Sequence, residues 1–120
     1  TTKMQFHHSK LMKKDYELAV GYYTIESYHA AYVSLQAFLN LYPESQYREQ
    51  AMFYMLRSGY EYGINSQESK MTERLQQVIN DFDRFATSFS NSEYLAEAQE
   101  IYTKSKAALA QLESIEKNKK

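Results

Sequence analysis

Residues 42–51 read Tyr-Pro-Glu-Ser-Gln-Tyr-Arg-Glu-Gln-Ala, and residues 89–98, which lie 47 positions later, read Phe-Ser-Asn-Ser-Glu-Tyr-Leu-Ala-Glu-Ala. The leading aromatic residue, the serine before the tyrosine, the tyrosine itself and the final alanine keep the same register in both copies. Phe38 and Phe85 extend the match upstream. Each copy joins the end of one amphipathic stretch to the start of the next through a short turn. This recurrence predicts an array of stacked helical hairpins.

The composition excludes most other fold classes. The chain has 120 residues, enough for one domain with a hydrophobic core. Its 3 Gly and 1 Pro are too few for the turns of a β-sandwich or for a glycine-rich phosphate loop. The absence of Cys excludes a disulfide framework and a zinc–thiolate site. A formal charge of -1 provides no overall attraction for nucleic acid, so we expect no nucleic-acid partner.

Apolar residues recur with the period of an α-helix in five stretches. Ser27 and Ser45 are expected to cap the second and third helices, and Gly63 to end the third in a left-handed conformation. Ser90 and Glu93 have the spacing of a capping box before the fifth helix. The predicted helices cover residues 5–24, 27–42, 46–62, 68–89 and 92–116.

The first of these hairpins matches a known repeat template. Residues 12–45 fit the tetratricopeptide pattern, in which the packing positions are filled by Leu18, Tyr22, Tyr28, Ala31, Leu35 and Phe38, with Pro43 as the closing proline. The two copies of the join add Tyr47, Ala51, Phe85, Tyr94 and Ala98 to the expected packing residues. Asp15 departs from the template, because a bulky aromatic residue is usual there. We therefore expect an all-α tetratricopeptide-type solenoid of about five antiparallel helices, forming a fragment of a right-handed superhelix.

So few hairpins lie near the lower limit for independent folding, since each unit depends on its neighbours to bury its apolar face. We accordingly expect residues 1–120 to form a single repeat domain that is the C-terminal part of a longer repeat protein.

Three segments carry a more specific resemblance. They are Asp15-Tyr-Glu-Leu-Ala-Val-Gly-Tyr-Tyr23, the stretch Ser34–Ala51 that contains the first join, and Asn65-Ser-Gln-Glu-Ser-Lys70 before a long helix. Together they resemble the C-terminal half of the BamD family of outer-membrane β-barrel assembly lipoproteins, over about residues 9–112.

The resemblance implies a scaffold on the periplasmic face of a Gram-negative outer membrane. It implies docking on the periplasmic POTRA domains of BamA, the barrel-inserting subunit, and help in delivering unfolded β-barrel precursors. Other assembly lipoproteins would be further partners. The cysteine that carries the lipid in this family is not in the sequence, so the implied membrane contact is through an N-terminal anchor that this chain lacks.

No constellation in the sequence has the pattern of a catalytic or metal site. His7 and His8 are adjacent and would point about 100° apart on a helix, so they cannot share a metal ion. His29 has only Glu26 close by in sequence and is interpreted as an ordinary surface residue. We expect a protein that is not an enzyme and that needs no cofactor.

A binding surface remains as the functional hypothesis. In tetratricopeptide arrays the first helix of each hairpin lines the concave side, and the register set by Pro43 places these residues there: Lys13, Tyr16, Val20, Tyr23, Tyr47, Gln50, Tyr54, Arg57, Tyr94, Glu97, Ile101 and Lys104. Tyrosine rings beside cations can stack on and hydrogen-bond an extended peptide. Tyr47 and Tyr94 recur at the join and are expected to pack between adjacent helices and hold them together. Tyr16, Tyr23, Tyr54 and Arg57 are therefore the predicted partner-binding residues.

Two alternatives stay open. The convex side could be the one that binds partners. The chain could also be a different periplasmic tetratricopeptide adaptor, for example one that serves cell-envelope division.

Overall fold

The computed structural model describes residues 2–118, and the side chains of residues 9–118. Within that range the chain forms five helices and no strand, which confirms the expected all-α class. The helices are α1 (Thr2–Thr24), α2 (Tyr28–Leu41), α3 (Arg48–Ile64), α4 (Glu68–Ser88) and α5 (Leu95–Asn118). Each begins and ends within three residues of the range expected from the sequence. None of the described helices has the length and apolarity needed to cross a membrane.

The helices pack in chain order as a stack of hairpins. Each helix contacts the next one along the chain, and α3 also contacts both α1 and α5. One layer therefore contains α1, α3 and α5, while α2 and α4 cover it from the other side. The described part of the chain measures 64 × 28 × 20 Å, an elongated shape that suits serial stacking.

Two adjoining hydrophobic clusters hold this stack together. The first lies between α1, α2 and α3, and its buried members are Ala19, Ala31, Leu35, Phe38, Tyr42, Ala51 and Met55. The second lies between α3, α4 and α5, and its buried members are Met52, Phe53, Leu56, Val78, Phe82, Phe85 and Ala98. Since α3 contributes to both clusters and Leu39 packs against both, the two hairpins share one continuous core.

The two joins have nearly identical backbone geometry. In the first, the Tyr47 N–H donates to the Ser45 hydroxyl at 2.9 Å; in the second, the Tyr94 N–H donates to the Ser92 hydroxyl at 3.0 Å. Further backbone hydrogen bonds recur at equivalent positions of the two turns, and Ala51 and Ala98 are both fully buried. The repeated sequence therefore encodes the same turn twice. In each copy the serine hydroxyl accepts a hydrogen bond from a backbone N–H just before the helix, which has no partner within the helix.

Several expected caps are formed differently. Ser27 precedes α2 as predicted, but its side chain makes no capping hydrogen bond. The capping box of Ser90 and Glu93 was wrong, because α5 begins only at Leu95 and the hydroxyl that accepts an N–H in this turn belongs to Ser92.

Gly63 does not end α3 in a left-handed conformation, and that prediction was wrong. It lies inside the helix, and no described glycine has a positive φ. A Cβ at this position would come within 3.3 Å of Arg74 and Leu75 on α4. The glycine is thus explained by the close approach of two helices.

Two of the expected packing residues do not pack. Leu18 is 62% exposed, because it lies on the face of α1 that points away from α2 and α3; the neighbouring Ala19 is buried instead. Pro43 is also exposed and acts as a helix stop rather than as a packing residue, since α2 ends at Leu41. His7 and His8 lie outside the residues whose side chains are described.

The acid at the template's aromatic position has a structural role. Asp15 accepts a hydrogen bond of 2.8 Å from the hydroxyl of Tyr42, the residue that follows α2. Glu49, which lies 34 positions later and one hairpin on, accepts a hydrogen bond from the Ser92 hydroxyl in the second join. Each acid therefore ties the first helix of its hairpin to the turn that closes the hairpin.

Candidate partner-binding face

The layer of α1, α3 and α5 brings together three of the four residues predicted to bind a partner, Tyr23, Tyr54 and Arg57. The Tyr23 and Tyr54 rings lie 5.1 Å apart between centroids, and the Arg57 guanidinium lies 5.7 Å from the centre of the Tyr23 ring. Tyr16 lies farther along α1, where it stacks on Tyr47 with ring centroids 4.5 Å apart.

The two tyrosines of the joins connect neighbouring helices. Tyr47 stacks on Tyr16 of α1, and Tyr94 stacks on Phe53 of α3 with centroids 4.7 Å apart. Both rings are half-buried and belong to the edges of the two hydrophobic clusters. We call the surface that these side chains form the tyrosine face: Tyr16, Tyr23, Tyr47, Tyr54, Arg57, Tyr94 and Glu97.

The cations on this side of the molecule are paired with acids of the same chain. Arg57 forms an ion pair of 3.1 Å with Glu97 on α5, and this pair crosses from one helix of the layer to the next. Lys13 pairs with Glu17 at 3.9 Å and Lys104 with Glu100 at 3.4 Å, each within one helix. All six side chains are substantially exposed, so these pairs contribute little to folding and chiefly set the local charge.

The tyrosine hydroxyls on this face have no partners within residues 9–118. By contrast, Tyr32 and Tyr42, whose rings lie toward the second layer, donate to Asp81 and Asp15 at 2.9 and 2.8 Å. On this face the hydroxyls of Tyr16, Tyr23, Tyr47, Tyr54 and Tyr94 form no protein hydrogen bond in the described range, as is also true of the five tyrosines outside the face other than Tyr32 and Tyr42. The face therefore offers a row of groups that can both donate and accept.

Burial raises the pKa of phenols on this face, those of Tyr16 and Tyr94 among them. It raises the pKa of Tyr16 to about 12, and the nearby Tyr54, Tyr94 and Tyr47 add to this shift. Burial is also the main cause that raises the pKa of Tyr94. The hydroxyls of Tyr16 and Tyr94 therefore remain neutral at physiological pH and can donate hydrogen bonds.

A groove of about 390 Å³ borders the tyrosine face between α3 and α5. Its walls are formed by Arg57, Tyr60, Glu61, Glu97, Glu100, Ile101 and Lys104. The sequence register placed four of these residues on this side, and it missed Tyr60, Glu61 and Glu100. Glu61 could have been found from its spacing, because it lies one helical turn after Arg57 on the same face of α3.

Groups suited to metal binding are not assembled in residues 9–118. No three His, Asp or Glu side chains come together there in a way that could hold a metal ion. His29 packs against the Tyr62 ring in a tilted arrangement, with centroids 4.6 Å apart.

Comparison with known proteins places the chain in a family. A family model described as an outer membrane lipoprotein, YfiO, matches residues 2–116, nearly the whole sequence. No curated protein matches the chain. The extent of the family match agrees with the repeated joins, both of which lie inside the matched region. The chain therefore belongs to the YfiO family of outer membrane lipoproteins.

Proposed function

We propose that this chain is part of a non-enzymatic scaffold of the BamD type in the outer-membrane β-barrel assembly complex. In this role it docks on the periplasmic POTRA region of a BamA-like insertase, together with other assembly lipoproteins, and aids the delivery of barrel precursors. Family membership supports the outer-membrane setting. The observation that carries the role is the tyrosine face, which extends over three helices of the stack.

The tyrosine face has the properties expected of a surface that holds an extended polypeptide. Its rings come from α1, α3 and the joins, so a bound segment would run across the helices and contact several repeats. Tyrosine provides a large contact area with few rotatable bonds, which keeps the entropy lost on binding small. The hydroxyls that lack partners within the described residues can bond to peptide N–H and C=O groups whatever the sequence of the segment.

The proposed location follows from the same family assignment. We place the repeat stack on the periplasmic side of a Gram-negative outer membrane, held there by an N-terminal lipid anchor of the full-length protein. Barrel precursors pass through this compartment in an unfolded state, and a stack of rigid hairpins can hold such a segment without being deformed itself.

The proposal can be tested with purified components and immobilised chain. Surface plasmon resonance would measure binding of the POTRA region of a BamA homologue, and of a barrel precursor diluted from urea. We expect both to bind. Tyr54→Ala and Arg57→Glu should each weaken precursor binding about tenfold, as loss of an aromatic or arginine anchor does at other interfaces.

A matched variant controls for the change of charge. Lys70 is exposed on α4, in the other layer, so Lys70→Glu reverses a charge away from the tyrosine face and should leave precursor binding unchanged. Circular dichroism would verify that all variants are folded. Absence of binding to both analytes would refute the proposed role, and selective binding to division or peptidoglycan proteins would favour the alternative adaptor.

A further inference from the structure

The groove beside the tyrosine face has more acidic than basic side chains in its walls. Among its lining residues, Arg57 and Lys104 are cations, while Glu61, Glu97 and Glu100 carry carboxylates. Both cations are already paired, Arg57 with Glu97 and Lys104 with Glu100. Within the part of the chain that the structure describes, Glu61 has no ion pair. The groove therefore carries one more negative than positive charge, and that excess lies at Glu61.

The ring of Tyr60 lines the groove together with this carboxylate, and two further rings lie at the nearby end of α1. Tyr23 and Tyr28 meet edge to face with centroids 6.0 Å apart, where the end of α1 turns into α2. Burial is the main cause that raises the pKa of both phenols, and the negative charge of Glu61 adds to the shift in each. Glu26 also faces Tyr28, and Arg57 opposes the shift in both phenols. Tyr23 already has the Arg57 guanidinium over its ring, whereas Tyr28 has no such cation among the described residues.

We propose that the groove takes a lysine or arginine side chain from an extended partner segment bound to the tyrosine face. The charged end of that side chain pairs with Glu61, and its aliphatic stem lies against the ring of Tyr60, which lines the same groove. This inference rests on the proposed function, since it names a chemical feature of the segment that the same face would hold.

The chemistry of the groove selects a cation over other side chains. A carboxylate entering it would meet an excess of negative charge, and a purely apolar side chain would leave the Glu61 carboxylate without a partner. A long basic side chain can bury its stem along the Tyr60 ring while its charge stays at the water-facing edge. An exposed ion pair and a cation–π contact each contribute modestly, so we expect a preference of about fivefold to tenfold for a basic residue.

Two short synthetic peptides provide the probe. The first is Ac-Gly-Ser-Tyr-Lys-Tyr-Ser-Gly-NH2, and the second replaces its lysine by norleucine, which keeps the apolar stem and removes the charge. Binding to the isotope-labelled full chain would be followed by NMR chemical-shift titration at low salt. The lysine peptide should bind about fivefold to tenfold more tightly, and the difference should shrink at high salt, where exposed charges are screened.

Substitutions at Glu61 and Glu73 separate this inference from the broader proposal. Glu61→Gln should abolish the preference for lysine, whereas Glu73→Gln, which removes an exposed carboxylate from α4, should preserve it. Equal binding of both peptides, or a lysine preference that survives Glu61→Gln, would overturn the inference. If Tyr54→Ala still weakened both peptides in that case, the proposed function would stand. Failure of both peptides to bind would count against both conclusions.

Discussion

The hydrogen bond between Tyr32 and Asp81 offers a direct test of how the two layers are held together. Tyr32 on α2 donates to Asp81 on α4 at 2.9 Å, and Gln77 donates to the other carboxylate oxygen at 3.1 Å. Asp81 is only 3% exposed. A buried carboxylate is stable in this position only while its hydrogen-bond donors are present.

We expect Tyr32→Phe to lower the free energy of unfolding by about 2 kcal/mol, the usual size for a hydrogen bond to a charged group. The ring that packs beside Gly59 is retained, so the loss comes from the hydroxyl alone. For a chain of 120 residues this corresponds to a decrease in Tm of roughly 8 °C. In an Asp81→Asn background the same change should cost about 1 kcal/mol, because the acceptor is then neutral. Urea unfolding followed by circular dichroism would give all four free energies of this double-mutant cycle.

The pH dependence of the free energy of unfolding provides a second test of the site at Asp81. Burial raises the pKa of Asp81, although the hydrogen bonds from Tyr32 and Gln77 and the charge of Arg84 act in the opposite direction. Because the folded pKa lies above the unfolded value, the Asp81 contribution is complete below the unfolded pKa and is lost as the pH rises through the folded pKa. The wild type should therefore gain stability relative to Asp81→Asn as the pH falls toward about 4, near the unperturbed pKa of aspartate. An equal cost of Tyr32→Phe in both backgrounds, or a relative gain as the pH rises, would refute the reasoning.

Three further sets of substitutions test local features, and urea unfolding would measure the effect of each on stability. Glu26 lies in the turn after α1 with φ 62°, so Glu26→Gly should stabilise the protein by about 1 kcal/mol; a loss would show that its side chain has a further role. A methyl group added at Gly21 would meet no atom within 4 Å, whereas one added at Gly59 would lie 3.2 Å from the Tyr32 ring. Gly21→Ala should therefore stabilise by about 0.5–1 kcal/mol and Gly59→Ala destabilise by about 1–2 kcal/mol, and equal effects would contradict the close helix contact at Gly59. Ser92→Ala should cost about 1–2 kcal/mol, since it removes bonds to the Tyr94 N–H and to Glu49, with Ser45→Ala as a milder control that removes one bond; a smaller cost for Ser92→Ala than for Ser45→Ala would contradict this assignment.

Features with short-range causes could be predicted from the sequence. The joins at residues 42–51 and 89–98 form the same turn twice, because aromatic, serine, tyrosine and alanine residues act within a few positions of one another. The helical class follows from the apolar period and the scarcity of glycine and proline. The local pattern nevertheless predicted Ser90 as the capping residue, whereas the hydroxyl of Ser92 accepts the hydrogen bond from the Tyr94 N–H. Two serines in one turn have similar local patterns, so the sequence did not distinguish them.

Only the tertiary structure revealed which face of each helix packs against which neighbouring helix. The repeat template named Leu18 as a packing residue, but the positions of α2 and α3 leave Leu18 exposed and bury the neighbouring Ala19. Gly63 was interpreted as a cap because the approach of α4, which excludes a side chain there, has no local signal. The pairing of Arg57 with Glu97 joins residues 40 positions apart, and the charge left at Glu61 appears only once that pair is known. Contacts of this kind depend on the three-dimensional stacking of the hairpins, and a one-dimensional pattern does not contain that information.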